Sequence, residues 1–216
     1  MKKNSSSLAT TFLIVTFALA SQVGLCKASS ANTAGIQVGD KLPLIELSGD
    51  AGGRVKENPE TKSKNWSSQE LRDKVHVIFY VAPSQKELNR KASSAITAAK
   101  FPRDKYSSVA VVNLASSWIP NFLISKKIEA SQKEFPHTTY VKDIKRAFVE
   151  KWGLKDKSND VVIVDKNGKV AFVFRGKLAD KDIENMLKVM RKHILGDKPV
   201  KKPASKTTDK ASGKKP

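Results

Sequence analysis

The densest apolar run in the chain is 75–81, where Val75, Val77, Ile78, Phe79, Tyr80 and Val81 leave no polar face for solvent. Such a run predicts a central strand, covered on both sides. Pro83 breaks it, and Ser84-Gln85-Lys86-Glu87 has the spacing of a capping box, which predicts a helix from about Gln85. Leu88, Ala92, Ala95, Ile96 and Ala99 then fall on one helical stripe, and Phe101-Pro102 ends it. With a next strand at Val109–Leu114, this is half of a βαβ unit.

On either side the pattern continues. Residues 36–47 alternate around Pro43 and predict an edge strand, because proline cannot donate to a ladder. A polar stretch with Gly49, Gly52, Gly53 and Pro59 follows, and Ser67 with Glu70 repeats the capping-box spacing ahead of a helix of one or two turns. After a loop at 115–120, a helix is predicted over 121–133 with Phe122, Ile124 and Ile128 among its apolar positions, then a short strand at Thr138–Val141. Ile144, Ala147, Phe148 and Trp152 predict a helix over 144–153 that Gly153 terminates. Val161–Val164 and Val170–Phe174 flank Asp165-Lys166-Asn167-Gly168, a hairpin whose Asn-Gly pair is expected to supply the positive φ values of a tight turn. Ile183, Met186, Leu187, Met190, Ile194 and Leu195 predict a closing amphipathic helix over 180–195. The order β-α-β-α-β-α-β-β-α implies an α/β sandwich with a mixed sheet.

The ends of the chain read differently. In residues 1–28, Lys2 and Lys3 precede a polar spacer and an apolar core at Leu13–Ala20, the form of a cleaved export signal, too short to span a membrane comfortably. Cleavage after Ala20 or after Ala28 fits the small residues there. Cys26, the only cysteine, follows Leu25 where a lipidated cysteine is ordinarily preceded by a small residue, which counts against lipid anchoring. From Asp197 the chain is Lys- and Pro-rich with nothing to build a core, and 197–216 is expected to be disordered. Residues 29–196 remain as one domain. Of the formal charge of +19, +3 lies in residues 1–28 and +5 in 197–216, which leaves +11 on the domain. That balance favours polyanions; in a cell envelope these are lipid head groups, lipopolysaccharide phosphates or acidic glycans, with nucleic acid the other generic class.

The element order resembles the thioredoxin fold. A narrower resemblance lies in Trp66-Ser67-Ser68-Gln69-Glu70-Leu71, Lys100-Phe101-Pro102-Arg103-Asp104-Lys105-Tyr106, Trp152-Gly153-Leu154 and Val161-Val162-Ile163-Val164-Asp165-Lys166-Asn167-Gly168-Lys169-Val170. In these blocks the chain is similar to the YtfJ family of small exported proteins of Gram-negative bacteria. The resemblance implies a thioredoxin-like three-layer sandwich with a central mixed β-sheet and a periplasmic address, and brings no established activity. Some members of that family are described as transcriptional regulators; an export signal argues against this, so no nucleic-acid partner is expected. The Lys-rich tail and the cysteine near the signal depart from the family pattern.

In a thioredoxin the corner after the first central strand carries C-x-x-C, because a helix start lowers the thiol pKa. Here it reads Ala82-Pro83-Ser84-Gln85-Lys86, which excludes thiol-disulfide and peroxidatic chemistry within the domain, and Lys157-Ser158-Asn159-Asp160 lacks the proline of redox members. Ser84 as a nucleophile would need a base, and His76, His137 and His193 are scattered. Those histidines form no metal-binding pair, and no glycine motif for a phosphate is present, so neither metal nor cofactor is expected. In the resembled fold the loops at 82–86, 115–120 and 157–160 gather at one edge. That placement makes Pro83, Ser84, Gln85, Lys86, Trp118 and Asn159 the candidate surface for a ligand or partner, with the helix-start amides, the Ser84 hydroxyl and Lys86 as an anion pocket. The function expected is a non-catalytic periplasmic protein that binds a protein partner or an anionic envelope component; the alternatives are a divergent non-thiol enzyme at that edge and, less favoured, a nucleic-acid-binding transcriptional regulator.

Overall fold

The computed structural model describes residues 35–55 and 64–196. The predicted leader at 1–28, including Cys26, and the tail at 197–216 lie outside the described residues.

Strands β1 (Glu46–Leu47), β2 (Gly52–Arg54), β3 (Trp66–Ser67), β4 (Val75–Val81), β5 (Tyr106–Asn113), β6 (Thr138–Asp143), β7 (Asn159–Val164) and β8 (Val170–Phe174) alternate with helices α1 (Arg90–Ala98), α2 (Asn121–Glu134), α3 (Ala147–Trp152) and α4 (Asp180–Leu195). Six strands form the main sheet in the order β2-β6-β5-β4-β7-β8, while β1 and β3 make a separate antiparallel pair. The three central strands β4, β5 and β6 run parallel, and β2, β7 and β8 run antiparallel to their neighbours.

The apolar run at 75–81 does become a central strand. Ile78 and Tyr80 face a core made with Phe148 and Trp152 of α3, and with Ile36, Ile45 and Trp66. Val75 and Val77 face Ala92 and Ile96 of α1 and Ile183, Met186 and Met190 of α4. Ile124 and Ile128 of α2 pack with Leu114 and Tyr140. The sheet is thus the middle of three layers. On the α3 side Phe148 is fully buried, its ring 4.7 Å from Trp152, 5.4 Å from Tyr80 and 5.6 Å from Trp66. Removing such a ring costs about 3–5 kcal/mol.

Several sequence expectations change. No helix starts at Gln85: Pro83–Gln85 is a single 3-10 turn with no side-chain cap, and α1 begins at Arg90. Residues 36–45 form no edge strand beyond one bridge between Lys41 and Lys169; instead the Pro43 carbonyl accepts the Trp152 indole N–H (2.9 Å) and the Ile36 carbonyl accepts from Arg175 (2.9 Å). Edge strand β2 comes from the glycines read as polar loop. A Cβ on Gly52 would stand 1.9 Å from the Lys142 carbonyl oxygen, so only glycine lets the strand approach β6 this closely. At 165–168 the Gly168 N–H reaches the Asp165 carbonyl (3.0 Å) and only Gly168 has positive φ, a turn followed by a bulge rather than the two-residue Asn-Gly turn. Phe122 is 63% exposed, so α2 does not bury its whole apolar set. The capping box of Ser67 and Glu70 is present, on a 3-10 turn at Ser68–Glu70, and Gly153 ends α3 in a left-handed conformation.

Candidate functional site

The carboxyl ends of β4 and β5 lie side by side, Val81 level with Val112, and β7 enters on the other flank with Asn159 opposite Val81. The segments 82–89, 114–120 and 155–158 therefore share one edge of the sheet. Ligands of open α/β sheets bind outside this carboxyl edge.

Asn89, a residue the sequence reading passed over, decides why the corner runs on past Gln85 before becoming helix. It is buried; its Nδ2 donates to the carbonyls of Asn159 (2.6 Å) and Gly176 (2.9 Å), and its Oδ1 accepts the Leu178 N–H (2.9 Å). One side chain thus ties the corner to β7 and to the approach of α4. Asn159 works from the opposite side, its Nδ2 donating to the Gln85 carbonyl (3.3 Å), while the Ala82 N–H donates to the Ser158 carbonyl (2.7 Å). Asn159 is only 3% exposed, so its side chain braces the corner rather than facing solvent. Beneath it the fully buried Asp160 accepts from the Ser158 hydroxyl (2.7 Å), the Gly176 N–H (2.8 Å) and the Lys155 N–H (2.7 Å).

Of the other predicted site residues, Ser84 and Lys86 are exposed and Pro83 and Gln85 are half-buried. Glu87 does not cap the Ser84 turn; it pairs with Arg90 (3.3 Å) and lies 3.8 Å from Lys86 Nζ. Among the described residues no side chain hydrogen-bonds the Ser84 hydroxyl. The histidines lie at the other end of the sheet: His76 sits near the start of β4, about 20 Å along the strand from Ala82, His137 precedes β6 parallel to it, and His193 is in the last turn of α4, whose first residue, Asp180, bonds Lys91 of α1 (2.5 Å). No histidine is placed to serve Ser84 as a base.

A second polar group sits on the α3 side of the same edge. Asn113 donates to the carbonyl (2.8 Å) and carboxylate (2.9 Å) of Asp156, which also meets Arg146 at 3.4 Å. Asp143 accepts the Tyr80 hydroxyl (3.2 Å) and the Ala147 (3.0 Å) and Phe148 (3.2 Å) N–H groups, holding the start of α3. Burial pushes the Asp143 carboxyl above its ordinary range, against the lowering effect of those donors. Burial likewise raises the Tyr80 hydroxyl, with Asp143 adding to it, and lowers the His76 imidazole. The Oδ1 atoms of Asn113 and Asn159 are buried without partners among the described residues. Asn113, two residues from Val111, shares that residue's face of the sheet, and Asn159, two from Val161, shares the opposite face, so they do not form one site. Among the described residues no group of three His, Cys, Asp or Glu could hold a metal ion.

Trp118 is the outlier of this edge. It is 93% exposed, and Phe122 and Leu123, on the first turn of α2, are 63% and 42% exposed.

A family model described as a bacterial protein of unknown function (YtfJ_HI0045) matches residues 36–193. The chain belongs to the YtfJ family. It is 31% identical over 175 residues to an uncharacterized protein of Haemophilus influenzae, covering 80% of this chain and 95% of that one. Against uncharacterized protein YtfJ of Escherichia coli K12 it is 28% identical over 160 residues, covering 72% of this chain and 86% of that one. Among solved structures it is similar to a putative thiol:disulfide interchange protein DsbE from Chlorobium tepidum (TM-score 0.52, 18% identity, 74% of this chain and 99% of that one). A putative protein disulfide isomerase from Bacteroides thetaiotaomicron is similar in the same degree (TM-score 0.53, 13% identity, 74% and 91%). The YtfJ-family chain thus has a thioredoxin-like fold, and with Cys26 its only cysteine it has no C-x-x-C at the corner.

Proposed function

We propose that this YtfJ-family protein is a non-catalytic, redox-inactive binding protein of the periplasm, exported by a cleaved leader. It would use the edge formed by 82–86 and 115–120 to hold a protein partner or an anionic envelope component. The observation that carries this reading is Trp118, 93% exposed beside a corner whose buried polar groups hold the backbone in place. A rigid corner next to an exposed aromatic suits docking, since a preorganised surface loses little entropy on binding. Pro83, Ser84, Gln85 and Lys86 form the rim, and the lysines of 197–216 add a general attraction to anions. Against the enzyme alternative, Ser84 has no histidine within reach.

The test is site-specific photo-crosslinking in cells from positions 86, 118 and, as a control on the outer face of α4, 188. Adducts from 118 and 86 that are missing from 188 support the reading. Identical adducts from all three, or none from 118, sink it. Deleting 197–216 tests the tail separately, because attraction through it weakens with added salt and vanishes with the deletion.

A further inference from the structure

Building on that reading, we infer that the occupant of this edge is the surface of an anionic phospholipid bilayer, entered by Trp118, Phe122 and Leu123 while Lys126 and Lys127 hold head groups. Three apolar side chains stand exposed within six residues, on a tip where Pro120 leads into α2. Lys126 and Lys127 follow Phe122 and Leu123 by four positions each and are exposed. Four positions along a helix are about 6 Å, comparable to the depth at which interfacial apolar groups enter beneath the head groups. With the tip down, the lysines therefore sit at phosphate level.

Charge favours lipid over an unspecified apolar partner. No Asp or Glu occurs between Asp104 and Glu129, and the chain carries +19. Lys86, Lys155 and Lys157 lie on the neighbouring loops and Arg90 on the first turn of α1, against Glu87 and Asp156. An anionic surface is met by net positive charge across the whole edge.

Part of the tip's backbone is bonded locally, which lowers the cost of taking those groups out of water. The Ser117 N–H donates to the Leu114 carbonyl (3.2 Å), the Ile119 N–H to the Ser117 hydroxyl (3.1 Å), and the Leu123 (3.0 Å) and Ile124 (3.4 Å) N–H groups to the Pro120 carbonyl. Pro120 has no N–H to satisfy. No helix among the described residues is long and apolar enough to cross a membrane.

Tryptophan emission gives a test local to the tip. Trp66 and Trp152 are 2% and 0% exposed, Trp118 is 93% exposed, and the sequence has no other tryptophan. Attachment through either end of the full chain therefore leaves the emission unmoved. With vesicles of equal parts phosphatidylcholine and phosphatidylglycerol, the emission is expected to shift to the blue and to be quenched by brominated acyl chains. Both effects disappear in W118F, and in wild type with pure phosphatidylcholine. F122S/L123S and K126E/K127E should each weaken vesicle affinity about tenfold. Vesicle binding without a Trp118 shift, or no binding, overturns the lipid inference and leaves the docking edge standing if position 118 still crosslinks to one protein. No shift together with no adduct from position 118 removes both.

Discussion

Two loops leave neighbouring parallel strands at the same edge of the sheet and treat their side chains in opposite ways. The corner after β4 turns its amides inward: Asn89 and Asn159 bond three backbone carbonyls and one backbone N–H between them, and Asp160 accepts three donors below. The tip after β5 has only short-range bonds of its own, such as Ile119 N–H to the Ser117 hydroxyl, and turns Trp118, Phe122 and Leu123 outward. Within the thioredoxin-like fold, this chain braces the corner with buried amides and exposes its apolar side chains one strand over. Of the polar residues that attract notice in the sequence, Asn159 is structural while Ser84 and Lys86 stay exposed, and the apolar tip is the surface we propose for a partner.

The largest expected effect comes from Asn89→Ala. It strands two buried backbone groups and one half-buried one and should lower the unfolding free energy in urea by about 3 kcal/mol, whereas Trp118→Ala should change it by less than about 0.5 kcal/mol. Similar losses from both would erase the contrast. Asp160→Asn comes next, at about 2 kcal/mol, since the new amide presents N–H to a backbone donor that needs an acceptor.

Below these lie two pH effects with opposite signs. The folded-state pKa of His76 is lowered, so its contribution is complete above the ordinary value of 6.5 and is lost as pH falls from there through the folded value. Urea midpoints should drop with acidification in that window, and His76→Gln should flatten the slope. The Asp143 carboxyl is raised above 3.8, so its contribution is greatest below that value and is lost as pH rises through the folded pKa. Asp143→Asn should remove that loss. The smallest effect is predicted for Ser84→Ala, which removes a hydroxyl with no side-chain partner among the described residues and should leave stability within about 0.5 kcal/mol.

Much of this fold is legible in sequence because its central elements are locally consistent. The two-sided apolar run of β4, the β7 and β8 runs around a turn, and the stripe of α4 each point to one structure without outside information. The errors fall where distant residues decide. Ser84 and Glu87 have capping spacing, but Asn89 is held by groups 70 to 89 positions away, and the helix waits for it. Asn159 reads as an exposed loop residue because only the closed sheet shows that it lies against Gln85. Strand β2 is hidden because glycine, a poor strand former, is required by the close approach of β6. Phe122 shows the converse: an apolar residue on a helical stripe is normally taken for core, and its exposure is visible only in three dimensions.

The separation of brace from binding tip is tested most directly by comparing two double variants of the full chain, F122S/L123S and S84A/K86A, for affinity to mixed phosphatidylcholine–phosphatidylglycerol vesicles. The account predicts a loss of about tenfold for the first and a smaller one, at most about fivefold, for the second, with both proteins folded. A larger loss from S84A/K86A than from F122S/L123S would contradict it and make the corner, rather than the tip, the main contact of the edge.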